Sequence, residues 1–285
     1  MKIMPTGKGG LEEYAKIKVW LKRTVVACIF IPFLILIIWW GGIVFLGLVC
    51  LISAVALFEF YQGIKKKGQK PFLIEGISLG MFVPVSIYIW GDKTLPPVLI
   101  LIIFCVFMRQ FLKFETKDAF TNIALTMGGI FYICLLFSYA LILRGEASGA
   151  RLVITVFFAT WLGDTGAYLI GRRWGQHKLC VRLSPYKSME GFIGAVLISC
   201  VAMLISRLWL IFPLFHTLAL GVMIGMVGQI GDLFESMLKR EMGIKDFGRI
   251  LPGHGGVLDR FDSLLFTVPL FYHYVKYLIT LGNFS

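Results

Sequence analysis

The sequence predicts an all-α, polytopic membrane protein, and three observations favour this fold class. Of the 285 residues, 58% are hydrophobic and only 15% are charged, whereas soluble domains carry about 25% charged residues. The mean hydropathy is +0.83. Apolar runs that approach the ~20 residues needed to cross a bilayer recur along the chain from residue 24 onward.

Polar segments divide these apolar runs, for example the four lysines within 63–70 and the Gly-Asp-Lys turn at 91–93. The polar, basic residues 1–23 are expected to form a cytoplasmic or interfacial segment, either a helix on the membrane surface or a solvated tail. Residues 24–143 are expected to form N-terminal membrane helices, and residues 144–285 the C-terminal membrane helices that carry the candidate site. We expect about nine transmembrane helices, at roughly 24–40, 43–62, 72–90, 96–112, 121–143, 152–171, 191–211, 214–237 and 263–281.

The basic residues favour a cytoplasmic N-terminus. With that orientation, 23 of the 28 Lys and Arg residues lie on the cytoplasmic side, in segments 1–23, 63–70, 109–117, 172–187 and 239–260, as the positive-inside rule requires. The net charge of +12 therefore alternates with the spans instead of forming one basic domain. This pattern argues against nucleic acid as a partner and in favour of anionic headgroups and cytosolic anions.

Cysteine and histidine usage suggests no metal or redox centre. The six cysteines contain no Cys-x-x-Cys pair, and five of them lie in apolar runs. We interpret them as small core residues and expect neither disulfides nor zinc. His177, His216 and His273 are isolated in the sequence and are interpreted as structural.

One face of the eighth predicted span changes from small to charged residues. These residues are separated by intervals of three and four, which place them on the same side of a helix. The glycines favour close packing with a neighbouring helix. For the two carboxylates, the alternative to a functional role is a salt bridge to Lys239 or Arg240. The face comprises Gly221, Gly225, Gly228, Asp232, Glu235 and Lys239.

Further carboxylates lie at the start of the ninth predicted span. Asp259 and Asp262 are three residues apart, so one helical turn displays both. The preceding turn, 252–256, is rich in glycine, and its backbone N–H groups are suited to phosphate oxygens. A glycine-rich turn alone is weak evidence, but this one lies between Lys245 and Asp259.

The sixth predicted span contributes Asp164, whose ionised form is costly near hydrocarbon and calls for a partner or a metal. The loop that follows contains Lys187 and Ser188, which could hold phosphate; the alternative is an ordinary basic loop facing the membrane. Carboxylate oxygens suit Mg²⁺, which typically works with one or two carboxylates and substrate phosphates. Phosphoryl or nucleotidyl transfer is therefore expected, without the Gly-x4-Gly-Lys-Ser/Thr loop of P-loop ATPases.

The stretch from Ser236 to Asp262 resembles the signature of the phosphatidate cytidylyltransferase (CDP-diacylglycerol synthase) family. The signature covers about a tenth of the chain, and the Asp232 and Asp164 segments also look like family motifs. The matching pattern is Ser236-x-Leu-Lys-Arg-x4-Lys245-Asp246-x-Gly248-x2-Leu251-Pro252-x-His254-Gly-Gly-Val-x-Asp259-Arg260-Phe-Asp262.

The resemblance implies that CTP and phosphatidate react to give CDP-diacylglycerol and pyrophosphate. It also implies Mg²⁺, with a second cation as an option, and a possible homodimer. We place the site on the cytoplasmic side of a bacterial cytoplasmic (inner) membrane, in a cavity that faces the cytoplasm and also opens sideways to lipid.

Residue roles follow from the matched positions. Asp232 and Asp259 are the first choices as metal ligands, with Asp262 and Asp246 next. Asp232, Asp259, Asp262, Lys239 and His254 form the expected catalytic group. The expected substrate-binding residues are Asp164, Lys187, Ser188, Glu190, Ser236, Arg240, Lys245, Gly255, Gly256 and Arg260.

The alternative functions are a transporter and a CDP-alcohol phosphotransferase. Intramembrane Asp164, Asp232 and Glu235 could relay ions or protons in a transporter, but a transporter needs a pathway to both faces, and these groups gather on one side. A CDP-alcohol phosphotransferase would carry an Asp-Gly-x2-Ala-Arg pattern, which the sequence lacks.

The topology can be tested by labelling single cysteines placed in the 63–70 and 239–262 segments. Because both segments are basic, we expect both to react only with reagents that reach the cytoplasm. Labelling of either segment from outside intact cells would contradict the orientation and the substrate argument together.

Overall fold

The structure is a computed structural model that describes residues 30–248 and 255–280. It is a bundle of α-helices with one small β-hairpin, and the expected N-terminal segment 1–23 lies outside the described residues. The helices are α1 (Phe30–Trp40), α2 (Gly42–Lys66), α3 (Leu73–Trp90), α4 (Leu95–Phe111), α5 (Ala119–Gly129), α6 (Leu136–Gly145), α7 (Gly149–Trp174), α8 (Met189–Ser206), α9 (Leu214–Glu241) and α10 (Leu258–Thr280).

The prediction of a helical membrane protein is confirmed. Seven helical segments of the described chain are long and apolar enough to cross a bilayer. They are α2, α3, α4 with its preceding 3₁₀ turn, the continuous α5–α6 segment, α7, α8 and α9. The described part of α1 has only 11 residues, and α10 carries charged and polar side chains along its length. The count of nine spans therefore stays a prediction.

A π-helical segment, Ile130–Leu135, joins α5 to α6 within one helical rod from Ala119 to Gly145. π-helical segments are rare in proteins, and those that exist are often found at functional sites. Tyr61 of α2 donates a hydrogen bond of 2.7 Å to the Thr126 carbonyl of α5. The π-helical segment therefore lies in a rod that is held against the N-terminal helices.

A two-stranded antiparallel hairpin corrects the purely helical fold class. Strand β1 (Lys178–Cys180) pairs with β2 (Ser184–Ser188) between α7 and α8. This segment was expected to be a basic loop, because three- and five-residue strands of mixed polarity carry too little periodicity to predict. Among the described residues, the cysteines are free, as expected.

Glycines allow α8 to approach α9 closely. A Cβ atom on Gly221 would lie 2.6 Å from the Cys200 Cα atom, and one on Gly225 would lie 2.5 Å from the Val196 Cα atom. The predicted close packing of this face is therefore confirmed at both positions. The glycine-rich part of α9 therefore packs on α8, and the charged residues of α9 lie nearer its C-terminal end.

Glu59, in the C-terminal half of the apolar helix α2, is buried and holds the start of α10. Its Oε2 atom accepts a hydrogen bond of 3.0 Å from the Leu258 backbone N–H. Gly256 and Gly248 leave no room for a side chain beside the same carboxylate. A negative charge is favourable at a helix N-terminus, where backbone N–H groups lack helical partners. Glu59 therefore fixes α10 against the N-terminal half of the molecule.

We expect Glu59→Ala to lower the thermal unfolding temperature of the detergent-purified protein. The substitution leaves buried N–H groups of α10 without an acceptor, which costs about 1–3 kcal/mol for each such group. Ser53→Ala is the matched control, because Ser53 is buried in the same helix and its hydroxyl has no hydrogen-bond partner. Equal unfolding temperatures for the two variants would contradict the role given to Glu59.

Candidate active site

Three carboxylates meet where α9 and α10 approach each other. Asp232 and Glu235 come from α9, and Asp262 comes from the first turns of α10. One oxygen atom from each of the three lies within 4.8 Å of the other two. Asp232 and Glu235 share a helical face because they are three residues apart. We call this group the carboxylate cluster.

The carboxylate cluster is largely shielded from solvent. Glu235 is fully buried and Asp262 is only 9% exposed. The Oε1 atom of Glu235 is buried and accepts no hydrogen bond from any residue that the structure describes. Buried polar atoms are normally satisfied, so this oxygen is a candidate ligand atom for a cation.

Two lysines contact different carboxylates of the cluster. The Lys239 Nζ atom lies 2.5 Å from Glu235 Oε2 and 3.0 Å from Asp259 Oδ1, and it therefore links α9 to the start of α10. The Lys187 Nζ atom at the end of β2 lies 2.8 Å from Asp232 Oδ2. The predicted salt bridge within α9 is thus present, but the same carboxylates also meet Asp262.

Negative charge exceeds positive charge around the cluster. Within the described part of the chain, the acidic side chains here outnumber the two lysines. Buried like charges repel each other strongly where the dielectric constant is low, so the excess favours binding of a cation. The acidic residues are Asp164, Asp232, Glu235, Asp259 and Asp262.

Asp259 stands apart from the carboxylate cluster. Its Oδ1 atom accepts from Lys239, and its Oδ2 atom accepts from the backbone N–H groups of Gly256 at 2.8 Å and Phe247 at 3.2 Å. These bonds hold Phe247 and Gly256 against the first turn of α10, as a capping residue does. The sequence pairs Asp232 with Asp259 as first ligands, whereas the geometry pairs Asp232 with Asp262.

Two neutral side chains connect Asp164 of α7 to the helices that carry the carboxylate cluster. Its Oδ1 atom accepts from the Gln229 amide at 3.0 Å and from the Ser263 hydroxyl at 3.4 Å. Gln229 precedes Asp232 on α9, and Ser263 follows Asp262 on α10. Asp164 therefore joins three helices at the site, as its expected need for partners implies.

A cavity of about 550 Å³ opens beside Asp164 and Asp232. Its walls come from α7, the hairpin, α8 and α9. Three basic side chains enter it, from Arg172, Lys178 and Lys187. The exposed ring of Tyr186 also lines it. A cavity with this combination of charges suits an anionic ligand with an aromatic part.

Several predicted substrate-binding residues make structural contacts at the rim of this cavity. The Ser188 hydroxyl caps α8 by accepting from the Gly191 N–H at 3.1 Å. Glu190 binds the backbone and ring of His177, and Arg240 donates to the Leu183 carbonyl at 3.2 Å. Ser188, Glu190 and Arg240 thus hold the hairpin in place and can act on a ligand indirectly.

The remaining predicted site residues differ in how exposed they are and in what they contact. Lys245, Asp246 and Arg260 are exposed, and Ser236 is 9% exposed within α9. Gly255 has a φ of +84°, which favours glycine, and the N–H of Gly256 is already bound to Asp259. His254 lies outside the described residues. Asp246 is not among the three carboxylates that group together in the described part of the chain, and its role as a ligand stays a prediction.

Two further residues of the site lack a local sequence signal. Glu59 is a lone carboxylate in an apolar span, and the cost of its burial is the only hint of function. Tyr132 of the π-helical segment has a buried hydroxyl without a hydrogen-bond partner, and its ring packs on Phe234 of α9. Both come from the N-terminal half, which the sequence analysis leaves without assigned roles.

Comparison with known proteins identifies the family of the chain. The sequence model of the Cytidylyltransferase family matches residues 21–278. Proteins named phosphatidate cytidylyltransferase from Staphylococcus epidermidis and Staphylococcus aureus are each 35% identical over 252 residues, which cover 87% of this chain and 96% of each relative. The protein of that name from Staphylococcus haemolyticus is 33% identical over 254 residues, which cover 88% of this chain and 95% of the relative. The chain therefore belongs to the cytidylyltransferase family.

Proposed function

We propose that the protein is a phosphatidate cytidylyltransferase, an integral membrane nucleotidyltransferase of phospholipid biosynthesis. The observation that carries the proposal is the carboxylate cluster of Asp232, Glu235 and Asp262, set between membrane helices beside a basic cavity. Its family and the names of its relatives support the same activity.

In the proposed reaction, a phosphate oxygen of phosphatidate attacks the α-phosphorus of CTP. A new phosphoanhydride bond forms, the bond between the α- and β-phosphates breaks, and pyrophosphate leaves. The lipid phosphate is already an anionic nucleophile, so no strong general base is required. The work of the protein is to bring two polyanions together and to orient them.

The carboxylate cluster fits a divalent cation such as Mg²⁺. The donors are hard carboxylate oxygen atoms from two helices. Asp232, Glu235 and Asp262 would hold the ion. When bound, Mg²⁺ supplies positive charge that stabilises the phosphates in the transition state. A second cation is compatible with the excess of carboxylates.

Basic residues would position the phosphates. Lys187, Lys178 and Arg172 line the cavity next to Asp232 and would bind the triphosphate of CTP. The Lys239 ammonium, held by Glu235 and Asp259, would bind the lipid phosphate. The exposed ring of Tyr186 at the cavity mouth would stack on the base.

The proposed orientation places this site at the cytoplasmic face of a bacterial inner membrane, where CTP is available. The basic segments around the site support that orientation. Staphylococcal relatives support a bacterial membrane setting.

The activity can be tested on protein purified in detergent. We expect pyrophosphate release from CTP only when phosphatidate is added with Mg²⁺, together with CDP-diacylglycerol as the lipid product. Pyrophosphate release without lipid would indicate another nucleotidyl acceptor. Ion flux through vesicles with no lipid product would favour the transporter.

The ligand assignment predicts distinct effects of the aspartates. Asp232→Asn and Asp262→Asn should each lower kcat by about 10²–10³-fold, the usual loss for an electrostatic group of this kind. Both should also weaken Mn²⁺ binding measured by electron paramagnetic resonance. Asp259→Asn should impair activity through Lys239 and the glycine turn while Mn²⁺ binding is kept.

Two control variants accompany these substitutions. Asp246→Asn should cost much less activity than Asp262→Asn, because Asp246 is exposed and outside the cluster. Cys180→Ser, in the hairpin, should change little. If Asp262→Asn binds Mn²⁺ as tightly as the wild type does, Asp262 is not a ligand and the assignment is wrong.

A further inference from the structure

A second cavity, whose lining residues differ from those of the basic one, adjoins α9 and α10. It has a volume of about 430 Å³ and is formed by α4, the α5–α6 rod, α9 and α10. Apart from Tyr132, its lining is apolar. We call it the apolar groove, and its walls include Leu99, Gly128, Phe131, Leu135, Phe234 and Phe266.

The apolar groove begins close to the carboxylate cluster. Phe234 directly precedes Glu235 on α9, and Phe266 follows Asp262 by four residues on α10. Four residues correspond to about one helical turn, or roughly 6 Å along the axis. A molecule with its polar end at the cluster would therefore reach the groove with its adjoining atoms.

Tyr132 lies at the junction between the two environments. Its ring packs on Phe234 and Phe266, with centroids 5.8 Å and 5.9 Å away. Its hydroxyl is buried and has no hydrogen-bond partner among the described residues. An unsatisfied buried hydroxyl is costly, and an acceptor on a ligand at the cluster would remove that cost.

The π-helical segment and Gly128 create the space. The segment Ile130–Leu135 supplies Phe131, Tyr132 and Leu135 to the groove wall. A Cβ atom on Gly128 would meet no other atom within 4 Å, so this glycine borders open space and not a packed helix. None of the residues at 30–248 and 255–280 fills this space.

We propose, on the basis of the function proposed above, that the apolar groove binds an acyl chain of phosphatidate. The Tyr132 hydroxyl donates a hydrogen bond to a phosphate or ester oxygen of the same lipid. The apolar lining matches a hydrocarbon chain, and the adjoining cluster is where the lipid phosphate reacts. CTP and the lipid then approach the cluster from different cavities.

Gly128→Leu tests the groove with little disturbance of the fold, because its side chain would enter open space. We expect the KM for dioleoyl phosphatidate to rise about tenfold, the effect of losing about two buried methylene groups. The KM values for dihexanoyl phosphatidate and for CTP should stay unchanged. Gly47→Leu is the matched control, since Gly47 is also an exposed helical glycine with no neighbour within 4 Å of an added Cβ.

Tyr132→Phe keeps the ring and removes only the hydroxyl. It should raise the KM for long-chain and short-chain phosphatidate equally, by about threefold to tenfold, the range for one hydrogen bond. The KM for CTP should not change. A chain-length dependence for Tyr132→Phe, or its absence for Gly128→Leu, would overturn the proposal.

Cross-linking separates this proposal from the proposed function. A phosphatidate analogue with a diazirine in its acyl chain should label groove residues of the wild type and of Gly47→Leu, but not of Gly128→Leu. This readout does not require activity, so it decides the proposal even if the wild type forms no CDP-diacylglycerol. Equal labelling by a phosphatidylcholine analogue would show a nonspecific lipid surface and would overturn the proposal.

Discussion

The ion pairs of Lys239 with Glu235 and Asp259 are the interaction on which the site depends. They join the C-terminal part of α9 to the first turn of α10. Asp259 in turn accepts N–H groups from the loop before α10, and Glu59 accepts another from its first turn. Buried charges of this kind are stable only when paired and hydrogen-bonded. The chain of contacts therefore sets the position of Asp262 relative to Asp232.

Much of the fold could be predicted because long apolar runs have one common outcome in a membrane, where helices satisfy their own backbone groups. The face with Asp232, Glu235 and Lys239 was predictable from intervals of three and four residues alone. The hairpin at 178–188 was not, since its strands are short and lack alternation. The nine-span count stays undecided because the first span is described only from Phe30 and α10 is too polar for composition to settle its placement.

The roles of individual carboxylates were harder to predict. Spacing shows that Asp259 and Asp262 lie on one helical turn, but the rotation of α10 against α9 decides which of them meets Asp232. That rotation depends on contacts distant in sequence, such as the one between Glu59 and Leu258, which are 199 residues apart. Local patterns contain no information on such pairs. The same limit applies to Tyr132, whose position follows from the packing of two halves of the chain.

The π-helical segment also has a consequence for comparing sequences in this region. Each residue of an α-helix advances the direction of its side chain by about 100°, and a π turn holds roughly one residue more than an α turn. Side chains of α6 are therefore rotated by about that angle from where a continuous α-helix would place them. The rod from Ala119 to Gly145 presents two different faces to its neighbours along its length. A single helical wheel drawn for the whole rod would merge these faces and make it look uniformly apolar.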